Sequence, residues 1–269
     1  MENKRIYLCD NSIDGIYTAV YLAWSSRLGH ANVKIEEKSE GSKYSNIELF
    51  AEYVAVDTDA VLAAKVAASI RQKISEEAYE MSCRVALSDY LGKADLIYRF
   101  LIMGFAVGSS ITEHLNHEVV NMMFKVNKNV SNESHHLLGF LRFSEQENGL
   151  LTSIIHPRNN VLSLITPHFA DRLPMERFLI YDANRKLASL HVPNAPWIIA
   201  EVPTIDQDRV REVSAYEDQY RDLWITFFDH IAIKERVNPK LQRNNLPLRF
   251  RGDMTEFSRI AEGRNKLIN

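Results

Sequence analysis

Leu150-Leu151-Thr152-Ser153-Ile154-Ile155 runs directly into His156-Pro157-Arg158-Asn159-Asn160, and then into Val161-Leu162-Ser163-Leu164-Ile165. The first six residues are mainly apolar, and read as a strand. The polar pentapeptide supplies a proline and two asparagines, residues that open helices. The third piece begins a helix that the spacing carries to about residue 170. A strand that turns into a helix through a polar cap marks an α+β region.

Working outward from it, Gly139-Phe140-Leu141-Arg142-Phe143 alternates and predicts a preceding strand, with Gln146-Glu147-Asn148-Gly149 as the turn. Downstream, residues 178–181 and 187–191 predict two strands around the turn Asp182-Ala183-Asn184-Arg185, and residues 197–202 predict another. Residues 214–233 form a long amphipathic helix, with Tyr220, Leu223, Trp224, Phe227, Phe228 and Ile231 on the side expected to be buried.

The texture upstream is different. There is no proline from residue 57 to 130. Ala60, Leu62, Ala63, Val66, Ala67 and Ile70 share one helical face, and the apolar pattern resumes through Leu87, Leu91, Ile97 and Leu101. Four or five packed helices are expected, broken near Ser75, Gly92 and Gly108. At the start, residues 6–9 read as a strand, Asp10-Asn11-Ser12 as helix caps, residues 13–28 as a helix closed by Gly29, and residues 33–35 as a second strand. A polar loop is expected over residues 36–45. The fold class is therefore α+β. Residues 1–135 make a mainly helical region with a short N-terminal strand. Residues 136–269 make an α+β core with a small antiparallel sheet flanked by helices, and the two are expected to pack as one globular unit.

The chain of 269 residues is 46% hydrophobic and 25% charged, which is the composition of a folded globular protein. Its net charge of −3 excludes a protein that coats nucleic acid over its whole surface, but leaves a local patch open. Two cysteines, Cys9 and Cys83, fall short of a disulfide framework, a four-thiolate zinc site or a three-thiolate iron–sulfur site. The N-terminus lacks the apolar core of a signal peptide, and the apolar run 96–107 is shorter than the ~18 residues of a membrane span. A cytoplasmic protein with reduced thiols and no membrane partner is expected.

Phosphate-loop, GxGxxG, GxSxG and HExxH motifs are all absent, so no cofactor is expected and the common hydride-transfer and hydrolase classes lose their support. Four features can carry chemistry. Asp10 and Asp14 sit between a strand end and a helix start, as a polar site or as caps. Glu113-His114-Leu115-Asn116-His117-Glu118 has metal-ligand spacing on a helix, but the same letters describe a solvated helix face, and no metal is assigned. His156, Arg158 and Asn159 lie at a helix start, where free backbone N–H groups favour an anion, with His168, Asp171 and Arg172 near the end of the same helix. His156 or His168 could act as general acid or base, with Asp171 orienting an imidazole. Finally, residues 234–251 carry Lys234, Arg236, Lys240, Arg243, Arg249 and Arg251 against the single acid Glu235, with interleaved amides that suit phosphate contacts.

The run 156–172, the segment Leu223-Trp224-Ile225-Thr226-Phe227-Phe228, residues 232–250, and the start Tyr7-Leu8-Cys9-Asp10 with Asp14-Gly15 and Ala23-Trp24 together resemble a bacterial family attributed to DNA metabolism, without an assigned biochemical activity. The resemblance implies a companion encoded beside a radical-SAM protein of DNA modification or repair. It also implies that residues 138–258 correspond to a portion fused elsewhere to uracil-DNA-glycosylase-like domains. Other members carry a Tyr-Trp pair after the last proline, where this chain has Arg249-Phe250-Arg251. The implied role is an accessory protein that binds DNA through the basic segment and partners the radical-SAM enzyme. The alternatives are an enzyme acting on damaged or modified nucleic acid, and a protein-interaction scaffold built on residues 57–130.

Overall fold

A computed structural model describes residues 4–38, 48, 50–203, 214–231 and 238–257. The chain divides into two units, Met1–Asn132 and Glu133–Asn269.

The first unit begins with β1 (Lys4–Cys9), whose Ile6 and Cys9 are fully buried. It is followed by α1 (Ile13–Ser25), β2 (Val33–Glu37) and β3 (Ala51–Ala55). The strands form a three-stranded parallel sheet in the order β2-β1-β3, so β1 is central. Ser12 is the N-cap of α1, its hydroxyl accepting the Gly15 N–H at 3.0 Å. Gly15 is required by space: a Cβ there would lie 2.6 Å from the Asp10 carbonyl oxygen. Three helices follow, α2 (Ala60–Lys73), α3 (Glu76–Ala86) and α4 (Lys93–Val107), and then α5 (Glu118–Phe140), whose residues from Glu133 on belong to the second unit. Their breaks fall at Ser75, Gly92 and Gly108, as the spacing predicts. Ser75 caps α3, and Gly92 and Gly108 adopt φ of 81° and 72°.

With its 3-10 continuation, α4 gives one helical stretch, Lys93–Glu113, long and apolar enough to cross a membrane by composition. Within the unit, its Ile97, Tyr98, Phe100 and Leu101 are fully buried in the core.

The second unit contains β4 (Ser144–Glu145), β5 (Leu151–Ile155), α6 (Leu162–Arg172), β6 (Phe178–Asp182), β7 (Leu187–His191), β8 (Ile198–Glu201) and the long helix α7 (Ala215–Ile231). Two short helices close it, α8 (Pro239–Asn245) and α9 (Leu248–Arg251). The sheet order is β4-β5-β6-β7-β8. The α+β class holds, with one change inside it. Because α6 carries the chain across, β5 and β6 run parallel while the other pairs are antiparallel, so the sheet is mixed.

Three local expectations are corrected. No strand forms over residues 139–143: Gly139 and Phe140 end α5, whose Val120, Met123, Val126, Val130, Glu133 and Leu137 recur every three or four residues as one buried helical face, and residues 141–143 are irregular. The His114/His117 pair does not share a helix. Glu113 ends a 3-10 helix, and His117 precedes α5, its Nδ1 accepting the Val119 N–H at 3.3 Å. The face of α7 expected to be buried is open: Tyr220, Leu223, Trp224, Phe227 and Ile231 are between 42% and 66% exposed, and the Phe228 side chain lies outside the described residues. Helical spacing determines which side chains share a face, and not what covers it.

Candidate functional site

Asp10 stands at the C-terminal end of the central strand of the parallel sheet, the position where open α/β sheets place ligands. Its carboxylate is already engaged, accepting from Thr58 Oγ1 at 2.5 Å and Lys38 Nζ at 2.9 Å. These bonds, from Thr58 first and Lys38 next, hold Asp10 below the usual carboxylate range. Asp14 is exposed in the first turn of α1. Burial pushes the Cys9 thiol up to about 12, so it is an inert core group. Among the described residues no group of three or more His, Cys, Asp or Glu side chains could hold a metal ion.

In the second unit the pentapeptide 156–160 lies ahead of α6, whose N-cap is Val161. The backbone N–H groups of Arg158 and Asn159 do bind an anion there, and the anion is internal. The Glu133 carboxylate accepts from Arg158 N at 3.1 Å, Asn159 N at 2.7 Å and Asn159 Nδ2 at 2.6 Å. Glu133 is 1% exposed, and Arg249 neutralises it at 3.3 Å. Arg249 of the basic segment is thus committed to the fold. Arg185 fastens the same loop, donating to the Pro157 and Arg158 carbonyls and to the buried Asp182. Burial raises the Asp182 carboxyl above its ordinary value despite Arg185.

His156 leaves that loop on the other side and meets the C-terminal segment. Its Nδ1 lies 2.8 Å from Asp253 Oδ1. Phe250 and Met254 anchor the segment in the interior, Phe250 packing on His136 and Phe140. Glu256, also buried, accepts a two-pronged bond from Arg142, at 2.8 Å from Nη2 and 3.3 Å from Nε. Burial raises the Glu256 carboxyl, but Arg142 and further hydrogen bonds outweigh it and hold it below its ordinary value.

These contacts surround a polar cleft of about 200 Å³ lined by Arg142, Ser144, Ser153, His156, Arg221 and Asp253, among others. Arg221, on α7, is fixed by Glu217 at 3.1 Å and Ser144 Oγ at 2.5 Å. Arg142, Arg221 and Thr255 also line an adjoining hollow of about 420 Å³ with Phe143, Tyr220 and Trp224. Charged donors and exposed aromatic faces therefore share one surface.

Of the site residues expected from the sequence, His156 lines this cleft. His168, Asp171 and Arg172 are exposed along the end of α6, do not line it, and make no side-chain hydrogen bond or ion pair with one another. The carboxylate beside the His156 ring is Asp253 and not Asp171. Lys240 and Arg243 are exposed on α8. Arg251 stacks on Phe257 at 4.9 Å, with Nε and Nη2 buried. Lys234 and Arg236 lie outside the described residues. Sequence reasoning missed Arg142, Arg221, Asp253 and Glu256. Only Arg142 left a signal, a charge set between Leu141 and Phe143.

The model of a family described as a domain of unknown function, DUF4130, matches residues 92–256. No curated protein matches the chain. Among solved structures, the chain is similar to RecJ in complex with Mn2+ from Thermus thermophilus, at 11% identity and a TM-score of 0.34. That match covers 71% of this chain and 45% of the RecJ chain, so the chain spans less than half of RecJ.

Proposed function

The chain belongs to the DUF4130 family, and from that premise we propose that it is a nucleic-acid-binding accessory protein of DNA modification or repair in the cytoplasm. One observation carries the reading. Arg142 and Arg221 stand at the boundary between a polar cleft and a hollow walled by Phe143, Tyr220 and Trp224. Single-stranded nucleic acid is bound by this combination, cations for the phosphates and aromatic faces for the bases. Lys240 and Arg243, exposed on α8, add phosphate contacts, together with Lys234 and Arg236 of the same basic segment. The partner in this reading is a radical-SAM enzyme that supplies the redox chemistry. The chain's own two cysteines are one short of the thiolates such a cluster needs.

The test is fluorescence anisotropy of labelled single- and double-stranded DNA over a salt series. Binding that weakens as salt rises, and that Trp224→Ala and Lys240→Gln/Arg243→Gln reduce, supports the reading. No binding at low salt overturns it. Co-purification with the radical-SAM protein, before and after nuclease treatment, tests the partner.

The His156–Asp253 pair favours a second reading, an enzyme acting on damaged or modified nucleic acid. A carboxylate on Nδ1 orients the ring and sets its tautomer, as a general acid or base requires. Product formation from lesion-bearing oligonucleotides that His156→Ala abolishes, with binding retained, would establish it.

A further inference from the structure

We infer that the cleft and the hollow together take the end of a nucleic-acid strand. The cleft receives a terminal phosphate and the hollow stacks the terminal base. This rests on the nucleic-acid reading above and specifies its ligand.

Three observations point to an end. The cleft, at about 200 Å³, is below the ~300–1,000 Å³ of sites that enclose a whole small molecule, so it suits a phosphate and not a nucleoside. Its lining includes Thr152 and Ser153 of β5, which are 3% and 5% exposed. A ligand that reaches them must present a narrow head. A terminal phosphate is attached through a single ester and offers three oxygens, whereas an internal phosphodiester carries a sugar on both sides. The hollow, at about 420 Å³, begins where the cleft stops, since Arg142, Arg221 and Thr255 line both, and it offers Phe143, Tyr220 and Trp224 to a base.

The charges agree with an incoming anion. The carboxylates nearby are each engaged: Asp253 in the cleft by His156, Glu217 in the hollow by Arg221, and the buried Glu256 by Arg142. Arg221 uses Nε on Glu217 and Nη2 on Ser144, and among the described residues its Nη1 makes no hydrogen bond. A phosphate seated beside Arg221 would take the Nη1 donors, with the Ser144 hydroxyl in the wall of the same cleft.

The experiment is anisotropy with one single-stranded DNA of about ten nucleotides in three forms: 5′-phosphate, 3′-phosphate, and hydroxyl at both ends. One phosphorylated form is expected to bind about tenfold more tightly than the hydroxyl form, the gain from one charge-assisted contact set. The two phosphorylated arms tell which end is read. Inorganic phosphate should compete against the preferred form and leave the hydroxyl form unaffected. Arg221→Gln should abolish the preference, so that the three forms bind with one common affinity, while Trp224→Ala should weaken all three forms alike. Equal affinity for the three forms overturns the end reading and leaves nucleic-acid binding standing. Binding of none of them overturns both. Circular dichroism of the variants separates loss of the contact from loss of the fold, and the phosphate competition tests the proposal without any variant.

Discussion

Glu133 and Asn159 form a closed pair in the interior of the second unit: one carboxylate oxygen of Glu133 accepts both the backbone N–H and the side-chain amide of Asn159, at 2.7 and 2.6 Å. The polar pentapeptide thus has its anion built in, from a helix more than twenty residues upstream in the sequence. Glu133→Ala leaves the Arg158 and Asn159 N–H groups without an acceptor and Arg249 without its counter-ion. Breaking a buried pair in this way costs about 3–5 kcal/mol. Urea unfolding should show a midpoint shift of that size, with Glu133→Gln intermediate because an amide offers one acceptor oxygen.

Phe250 holds the C-terminal segment in place through His136 and Phe140. Phe250→Ala should cost about 3–5 kcal/mol, as for other buried phenylalanines. The same change should loosen Asp253 from His156 and Glu256 from Arg142. Nucleic-acid binding is then expected to fall at temperatures where circular dichroism still reports a folded chain. Binding that is unchanged in the folded variant would separate the segment from the site.

His136 sets a pH dependence. Burial first, and then Arg249, lowers its pKa below the ordinary value of 6.5. The unfolded chain therefore takes up a proton at a pH where the folded chain does not. Stability is full above about pH 6.5 and declines as pH falls from there towards the lowered native value. His136→Phe keeps the ring contacts and removes the titration. Its stability should fall less than that of wild type between pH 7.5 and 5.5, about the range of histidine titration, the remaining fall coming from His30, whose pKa burial also lowers.

Gly15 lies against the Asp10 carbonyl, where a methyl group would be 2.6 Å from that oxygen. Gly15→Ala forces the start of α1 away from the end of β1, and overpacking of this kind costs about 1–3 kcal/mol. A melting temperature equal to wild type would contradict the closeness of that approach.

The local chemistry of the sequence by itself determined the elements. Ser75, Gly92 and Gly108 break the helices because a hydroxyl caps and glycine accepts a positive φ, and both act within a turn of the chain. The apolar strands 151–155, 178–182 and 187–191 follow from residue type, and the α+β class follows from them. Only the tertiary structure decided which strands run parallel, which face of α7 stays open, and who partners whom. His156 lies 97 residues from Asp253, and Arg142 lies 114 from Glu256. No spacing rule reaches that far. Periodicity and capping are short-range preferences of the backbone, whereas these pairs exist because burying Phe250 and Met254 carries two carboxylates to a loop and an arginine that the sequence leaves far apart.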